Sequence, residues 1–411
     1  MDNGIVDLWS LPENKIYLDL EKSFKEKIFK SAKEYARTWD KLGKNIGFSV
    51  NKYGSCKIIE SARCKRFSLS LLNKILDYLS SNGADIDKSC IERKISVISS
   101  KRGGSNKLAN SIFNPKLPFN FNTVDGATVL SAIFHDGGID SRLLPHYCNP
   151  ENIELRKKIY EAFTKVFGEF KSKKSDPVRN QQLYFPKIVG IVLVYGLGLS
   201  YGRKVVNNPS IPKFLFDSSK NVKSAYVQQA FDDEAHVHRH DREISLKLAS
   251  SSEKPANLLT GLKRLLEEFD IDVNNISFSD FYKTKEGDKA SRWVLSITHQ
   301  DNLKTFYDRI GFYTSYKEGR LKEIVKTLKC PHYSVKRCQK IYVNACAQLQ
   351  KRYSYIMSKE LSIEINRSQT LAKKIIQKFV KNKILLIKEH RHGNRGAKYI
   401  LSDNYESLCK M

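Results

Sequence analysis

The sequence lacks the marks of a secreted or membrane-bound chain. Its eight cysteines, at positions 56, 64, 90, 148, 330, 338, 346 and 409, form no Cys-x-x-Cys pair. They read as reduced thiols of an intracellular protein, not as a disulfide framework. The opening MDNGIVDLWS is acidic where a secretion signal would be basic and then apolar. The longest apolar run, IVGIVLVYGLGL at 188–199, falls short of the ~20 residues that cross a bilayer. A membrane surface is the alternative partner for a basic chain, but no basic amphipathic helix is joined to a lipidation signal. Cys330, Cys338 and Cys346 recur at one interval with His332 nearby. Structural zinc ligands pair at spacings of about two to four residues. Buried small residues on one helix face fit this interval better.

Acidic residues are also scarce. Asp and Glu number 44 against 71 Lys and Arg, which leaves a formal charge of +27 and a pI near 9.6. General richness in Lys, Ile, Asn and Ser contributes, but the excess is larger than solubility asks for, and polyanions are the natural partner. A hydrophobic content of 41% with 11% aromatics argues for a folded chain throughout. A length of 411 residues suits two or three domains.

Three segments emerge along the chain. Residues 1–115 begin with an amphipathic helix that carries Phe24, Ile28, Phe29, Ala32, Tyr35 and Ala36 and breaks at Gly43 and Gly47. A second helix, capped by Ser68, bears Leu69, Leu72, Ile75, Leu76 and Leu79 and stops at Gly83. With Lys52, Lys57, Arg63, Lys65 and Arg66 exposed, the expectation is a mostly helical, helix-turn-helix-like basic module. A plain helical bundle with a solvated basic face is the alternative. Gly-, Pro- and Asn-rich stretches at 101–111 and 114–126 mark its end, a softer boundary falls at 171–182, and another lies near Cys330-Pro331.

The last segment, 331–411, has a clearer pattern. A short helix (357–365), a turn with Ser368 as cap, an amphipathic helix (370–383) and a hairpin (384–401) with Gly393 and Gly396 at its tip together look like a winged helix. The apolar face of its second helix uses Leu371, Ile375, Phe379 and Val380. In such a module Lys373, Lys374 and Lys378 face the major groove, and Arg391, Arg395 and Lys398 belong to the wing. The bland alternative is a lysine-rich surface that touches nothing.

Between them, VLSAIFHDGG (129–138) and VQQAFDDEAHV (227–237) each end an apolar, helix-compatible run in a carboxylate before a small residue. One such segment is ordinary helix-end chemistry. Two of them, each followed by a similar order of elements, resemble the paired motif of LAGLIDADG homing endonucleases. The phrases IPKFLF, WVLSITHQDNLKTFYDRIGF and KEGRLKEIV resemble the flanks of that motif in archaeal members. The resemblance covers roughly 122–328 and implies an α+β fold, a pseudo-twofold tandem of αββαββα units over 120–328. It also implies that Asp136 and Glu234, from the bases of two packed helices, share a metal site.

Divalent ions clamping the attacking water and the leaving oxygen are the fastest route to phosphodiester hydrolysis. Two carboxylates suit Mg²⁺, which keeps several waters of its own. The resemblance therefore implies a monomeric, Mg²⁺-dependent, site-specific endonuclease of double-stranded DNA, intracellular and associated with the nucleoid. It implies no membrane and no small-molecule substrate. His236, His238 and His240 alternate along a strand and so share one face, which the resemblance turns toward DNA. A three-histidine metal site is the minor alternative. His135 reads as a satisfied helix-end histidine and Asp233 as solvent-facing, while no candidate for the family's active-site lysine stands out. The rivals are a non-cleaving DNA-binding regulator on the same scaffold, favoured by Gln228 and Gln229 in the helix contact, and a role in RNA maturation.

Overall fold

The computed structural model describes residues 3–48, 58, 61, 63, 66–103, 110–239, 241–284, 287, 289–326, 339–365, 369–389 and 397–405. The chain divides into two compact units, Met1–Thr298 with Asn302–Thr327, and Leu328–Met411 with His299–Asp301. No helix among the described residues is long and apolar enough to cross a membrane.

In the first unit, strand β1 (Ile5–Val6) opens the chain, and strands β2 (Tyr17–Leu20), β3 (Phe67–Ser68), β4 (Ile95–Ser99) and β5 (Ser111–Phe113) form an antiparallel sheet in the order β3-β2-β4-β5. The expected helices are present at Lys22–Ala36 and Leu69–Ser81, and the Ser68 side chain accepts the hydrogen bond of Leu71 N at 3.1 Å. Phe29 and Phe67 meet edge to face with ring centroids 5.4 Å apart. The expectation of a mostly helical module misses the sheet at its centre. Its strands are two to five residues long, too short for alternation to show in the sequence. Arg66, expected at the surface, is buried, and desolvation lowers its pKa against the opposing pull of Asp19. Lys52, Lys57 and Lys65 lie outside the described residues.

Residues 1–115 do not stand apart from the central segment. β1 pairs with β6 (Phe119–Asn120), and Phe113 exchanges backbone hydrogen bonds with Glu169 at 3.0 and 2.8 Å. The chain then runs through the helix Val124–Phe134, strands β7 (Gly137–Ile139) and β8 (Pro145–Cys148), the helix Ile153–Phe167 and strand β9 (Gln182–Tyr184). These strands make a three-stranded sheet, β7-β8-β9. Where a fourth strand would complete an αββαββα unit, the apolar run after Pro186 continues as the helix Lys187–Ile191 and a π-helical turn, Val192–Gly196.

The second half has the full complement. The helix Lys220–Glu234 leads into β10 (Ala235–His238), β11 (Glu243–Ser250), the helix Asn257–Glu267, β12 (Ser277–Lys283), β13 (Lys289–Ile297) and the helix Gln300–Arg309. The sheet order is β10-β11-β13-β12. The strand expected to carry His236, His238 and His240 in alternation ends at His238 and turns back as a hairpin, with Arg242 at a left-handed φ of 51°. β12 carries no apolar pattern because it is an edge strand exposed along most of its length.

The helices Val124–Phe134 and Lys220–Glu234 pack against each other at the centre of this unit. The first is buried from Gly126 to Phe134, since it is covered on every side. Close approach is supplied by Ser131, whose Oγ donates to Tyr226 O at 2.8 Å. At Gly126 an added Cβ would lie 2.4 Å from the Phe121 backbone.

In the second unit, helices Gln339–Tyr353, Ser358–Glu364 and Gln369–Lys381 precede the antiparallel strands β14 (Leu385–Glu389) and β15 (Lys398–Leu401). Ile356, between the first two helices, exchanges backbone hydrogen bonds with Tyr399 at 2.8 and 3.0 Å and adds a bridge to the hairpin. Ile375, Ile376 and Phe379 are buried in its core as the helical spacing requires. Each such side chain stabilises by about 1.5–3 kcal/mol. Cys346 is buried on the helix Gln339–Tyr353, and desolvation pushes its thiol up to about 12. Cys330, His332, Cys338 and Ser368 lie outside the described residues.

Candidate active site between the motif helices

The carboxylates that end the two motifs come together at one end of the helix pair. Glu234 is the last residue of its helix, and Asp136 follows the end of the other. Asn149 Nδ2 donates to Asp136 Oδ2 at 3.1 Å. Burial is the largest cause lifting both acids above the usual carboxylate range. Glu234 reaches about 7, with the charge of Asp136 as the next contribution.

Two lysines answer this negative charge. Lys204 Nζ donates to Phe134 O at 3.1 Å and to His135 O, so it caps the last carbonyls of the first motif helix, which lack partners within the helix. Lys317 Nζ donates to Phe231 O at 3.1 Å and Asp232 O at 2.6 Å and does the same for the second. Both lysines are depressed by burial, and Asp136 and Glu234 each oppose that shift in both. Neither lysine stands out in the sequence, because each approaches its helix from a distant segment. A signal exists nonetheless. Gly198 to Lys204 and Gly311 to Lys317 repeat the same glycine-to-lysine interval, and both glycines take positive φ, 73° and 62°.

The other acids of the second motif do different work. Asp232 is buried and accepts from Tyr313 N at 2.9 Å, Thr314 N at 3.1 Å and Thr314 Oγ1 at 2.9 Å, which fixes the turn that carries Lys317. Asp233 does not face solvent. Its Oδ1 accepts from Tyr147 Oη at 2.7 Å and Gln229 Nε2 at 2.9 Å, while Oδ2 is buried with no partner. Desolvation and then the charge of Asp136 push its pKa well up. Gln229 thus occupies the helix contact to hold Asp233. Gln228 turns elsewhere, accepting from Lys158 Nζ at 3.3 Å and donating to Ile310 O at 2.8 Å.

His135 is not satisfied as expected. Both of its ring nitrogens are buried without a partner, and its pKa falls to about 3 through burial and then Lys204. No group of three or more His, Cys, Asp or Glu side chains among the described residues has the arrangement of a metal site.

His236 and His238 share a face of the four-stranded sheet, with ring centroids 4.4 Å apart. His236 is exposed, and His238 Nε2 lies 2.9 Å from Ser245 Oγ. By register, Lys247, Arg292 and Ser296 belong to the same face as Ser245. His240, Arg391 and Arg395 lie outside the described residues. Lys373, Lys374 and Lys378 are exposed on the helix Gln369–Lys381 and form no ion pair with a described residue. Lys398 is already engaged, 2.9 Å from Glu389 and 4.9 Å from the centre of the Tyr355 ring.

Residues 221–311 match the family model of the LAGLIDADG-like domain. The chain carries a LAGLIDADG-like domain. The match begins in the second motif helix, takes in the complete αββαββα order and ends beyond the helix Gln300–Arg309. LAGLIDADG domains are typical of homing endonucleases and related proteins that bind double-stranded DNA. No curated protein matches the sequence.

Proposed function

We propose that the protein is a site-specific DNA endonuclease of LAGLIDADG type that hydrolyses phosphodiesters with Mg²⁺. The observation that carries this reading is the meeting of Asp136 and Glu234 at one end of two packed helices, with Lys204 and Lys317 beside them. Burial lifts both acids, and the charge of Asp136 lifts Glu234 further, so the site favours added positive charge even with the two lysines beside it. Their oxygens are hard ligands of the kind Mg²⁺ prefers, and an ion that keeps several waters needs few protein groups. When bound, divalent ions clamp the attacking and leaving oxygens. The chain's own contribution is orientation. Asn149 fixes the Asp136 carboxylate, and the lysines offer positive charge to the transition state.

DNA would lie on the polar face of the four-stranded sheet, against His236, His238 and Lys247. The three-stranded sheet forms the other side of a pseudo-twofold tandem, so one chain suffices and the protein acts as a monomer. The second unit reads as a winged helix, with Lys373, Lys374 and Lys378 turned to DNA, Lys398 at the base of the wing, and Arg391 and Arg395 within it.

A non-cleaving DNA-binding regulator is the second reading, favoured by Gln229 and the bulky Tyr226 in a helix contact that close-packed motifs fill with small residues. Incubating the full chain with a randomised duplex library and Mg²⁺ or Mn²⁺, then sequencing new ends, separates the two. The expected result is cleavage at one sequence, lost in Asp136→Asn and Glu234→Gln while DNA affinity holds or rises as repulsion of phosphate is relieved. Specific binding without metal-dependent cleavage would hand the case to the regulator.

A further inference from the structure

A cleft of about 350 Å³ opens from Glu234 along the polar sheet face. It is lined by Glu234 and Lys204, by Lys247 of β11, Tyr282 of β12 and Arg292 of β13, and by apolar groups such as Leu258. The volume sits at the low end of the ~300–1,000 Å³ range of pockets that enclose small organic ligands. It can admit one nucleotide and not a stacked base pair.

The lining chemistry matches a nucleotide. The Arg292 guanidinium lies 4.8 Å from the Tyr282 ring centre and 2.6 Å from Asp280, so a flat stacking surface is already assembled and anchored. Bases stack on aromatic rings and on guanidinium planes alike. Arg292 Nε is buried with no partner. Lys247 is exposed with no carboxylate partner among the described residues, which leaves an ammonium group for a phosphate. Leu258 supplies apolar surface, and Glu234 gives a hydrogen-bond acceptor at the end nearest the proposed chemistry. A free metabolite would explain the lining but not its continuity with Glu234 and Lys204 of the candidate active site.

We propose that this cleft receives one nucleotide swung out of the bound duplex beside the phosphodiester that the acids address. This rests on the DNA-binding reading above. Extrusion requires unstacking and unpairing, so an already unpaired nucleotide enters more easily.

The test compares full-length protein on two duplexes that differ only in one unpaired central adenosine, with affinities measured by fluorescence anisotropy. The bulged duplex should bind tighter by roughly tenfold or more. That ratio should fall toward one in Tyr282→Ala and, in part, in Lys247→Gln. Equal affinities for the two duplexes in the wild type, or an advantage untouched by both variants, would overturn the proposal. If free dAMP binds at micromolar concentration through Tyr282 and no bulge advantage exists, the cleft serves a free nucleotide and the extruded base is refuted. Failure to bind either duplex would instead sink the DNA-binding reading itself.

Discussion

At Glu234, burial and the charge of Asp136 both favour the protonated carboxyl, and its pKa climbs from an ordinary 4.5 to about 7. A folded-state pKa above the unfolded value contributes stability that is complete below about 4.5 and is lost as pH rises through about 7. The metal-free protein should therefore be weakened at pH 8 relative to pH 5 by this residue. Glu234→Gln should raise the melting temperature at pH 8 by a few degrees, on the order of 1–2 °C per kcal/mol regained for a unit of this size, and change it little at pH 5. Thermal melts at the two pH values check this, and a gain equal at both would refute it.

Lys317 gives a second prediction at this scale. Its ammonium both caps a helix and faces the acids, so Lys317→Met should lower the cleavage rate by about 10²–10³, with a smaller change in DNA affinity. Rate and dissociation constant measured on one duplex separate the two effects. The acids are legible in the sequence because each closes an apolar run. The lysines are not, because a side chain arriving from a distant segment leaves no local period. Asp233 defies a local reading for a related reason, since its burial depends on Tyr147 from the other half of the unit.

Among the elements, the first motif helix lies hard against the segment that leads into it. Gly126 is in the first turn of its helix, against the Phe121 backbone, and an added Cβ would meet atoms at 2.4–2.6 Å. Gly126→Ala should therefore cost about 1–3 kcal/mol by overpacking, although alanine favours helices elsewhere. A urea titration would show a lowered midpoint at unchanged slope, whereas a raised midpoint would mean the contact yields freely. Helices of three or four turns, such as Leu69–Ser81 with its Ser68 cap and Gln369–Lys381 with its apolar stripe, can be read from periodicity. β3, β5 and β9 cannot, because two or three residues carry no period and their existence is settled by partners elsewhere in the chain.

For the whole molecule, the division into two compact units predicts that a chain truncated after Thr327 still folds. It should bind its DNA more weakly, with a shallower dependence on salt. Every phosphate that Lys373, Lys374 or Lys378 neutralises in the full chain should account for about 0.9 of the slope of log K against log[salt], and the truncation should remove that share. Equal affinity and equal slope in the truncated and full chains would show that the second unit does not touch DNA. The net charge points to a polyanion, and the break read near Cys330-Pro331 already sets the basic helix at the end of the chain apart from the central segment, close to the division of the fold.

The sheet β7-β8-β9 and the sheet β10-β11-β13-β12 differ in reach. β13 runs nine residues, whereas β8 and β9 run four and three. At ~3.3 Å per residue in a strand and ~3.4 Å per base step, the longer platform matches about nine steps of a duplex and the shorter about four. For the proposed endonuclease, recognition would then be lopsided about the scissile bond. Sequence drift on the long flank would be punished and drift on the short flank forgiven. Such a protein would accept a family of sites that share one arm, with a nuclease footprint extending unequally on either side of the cut.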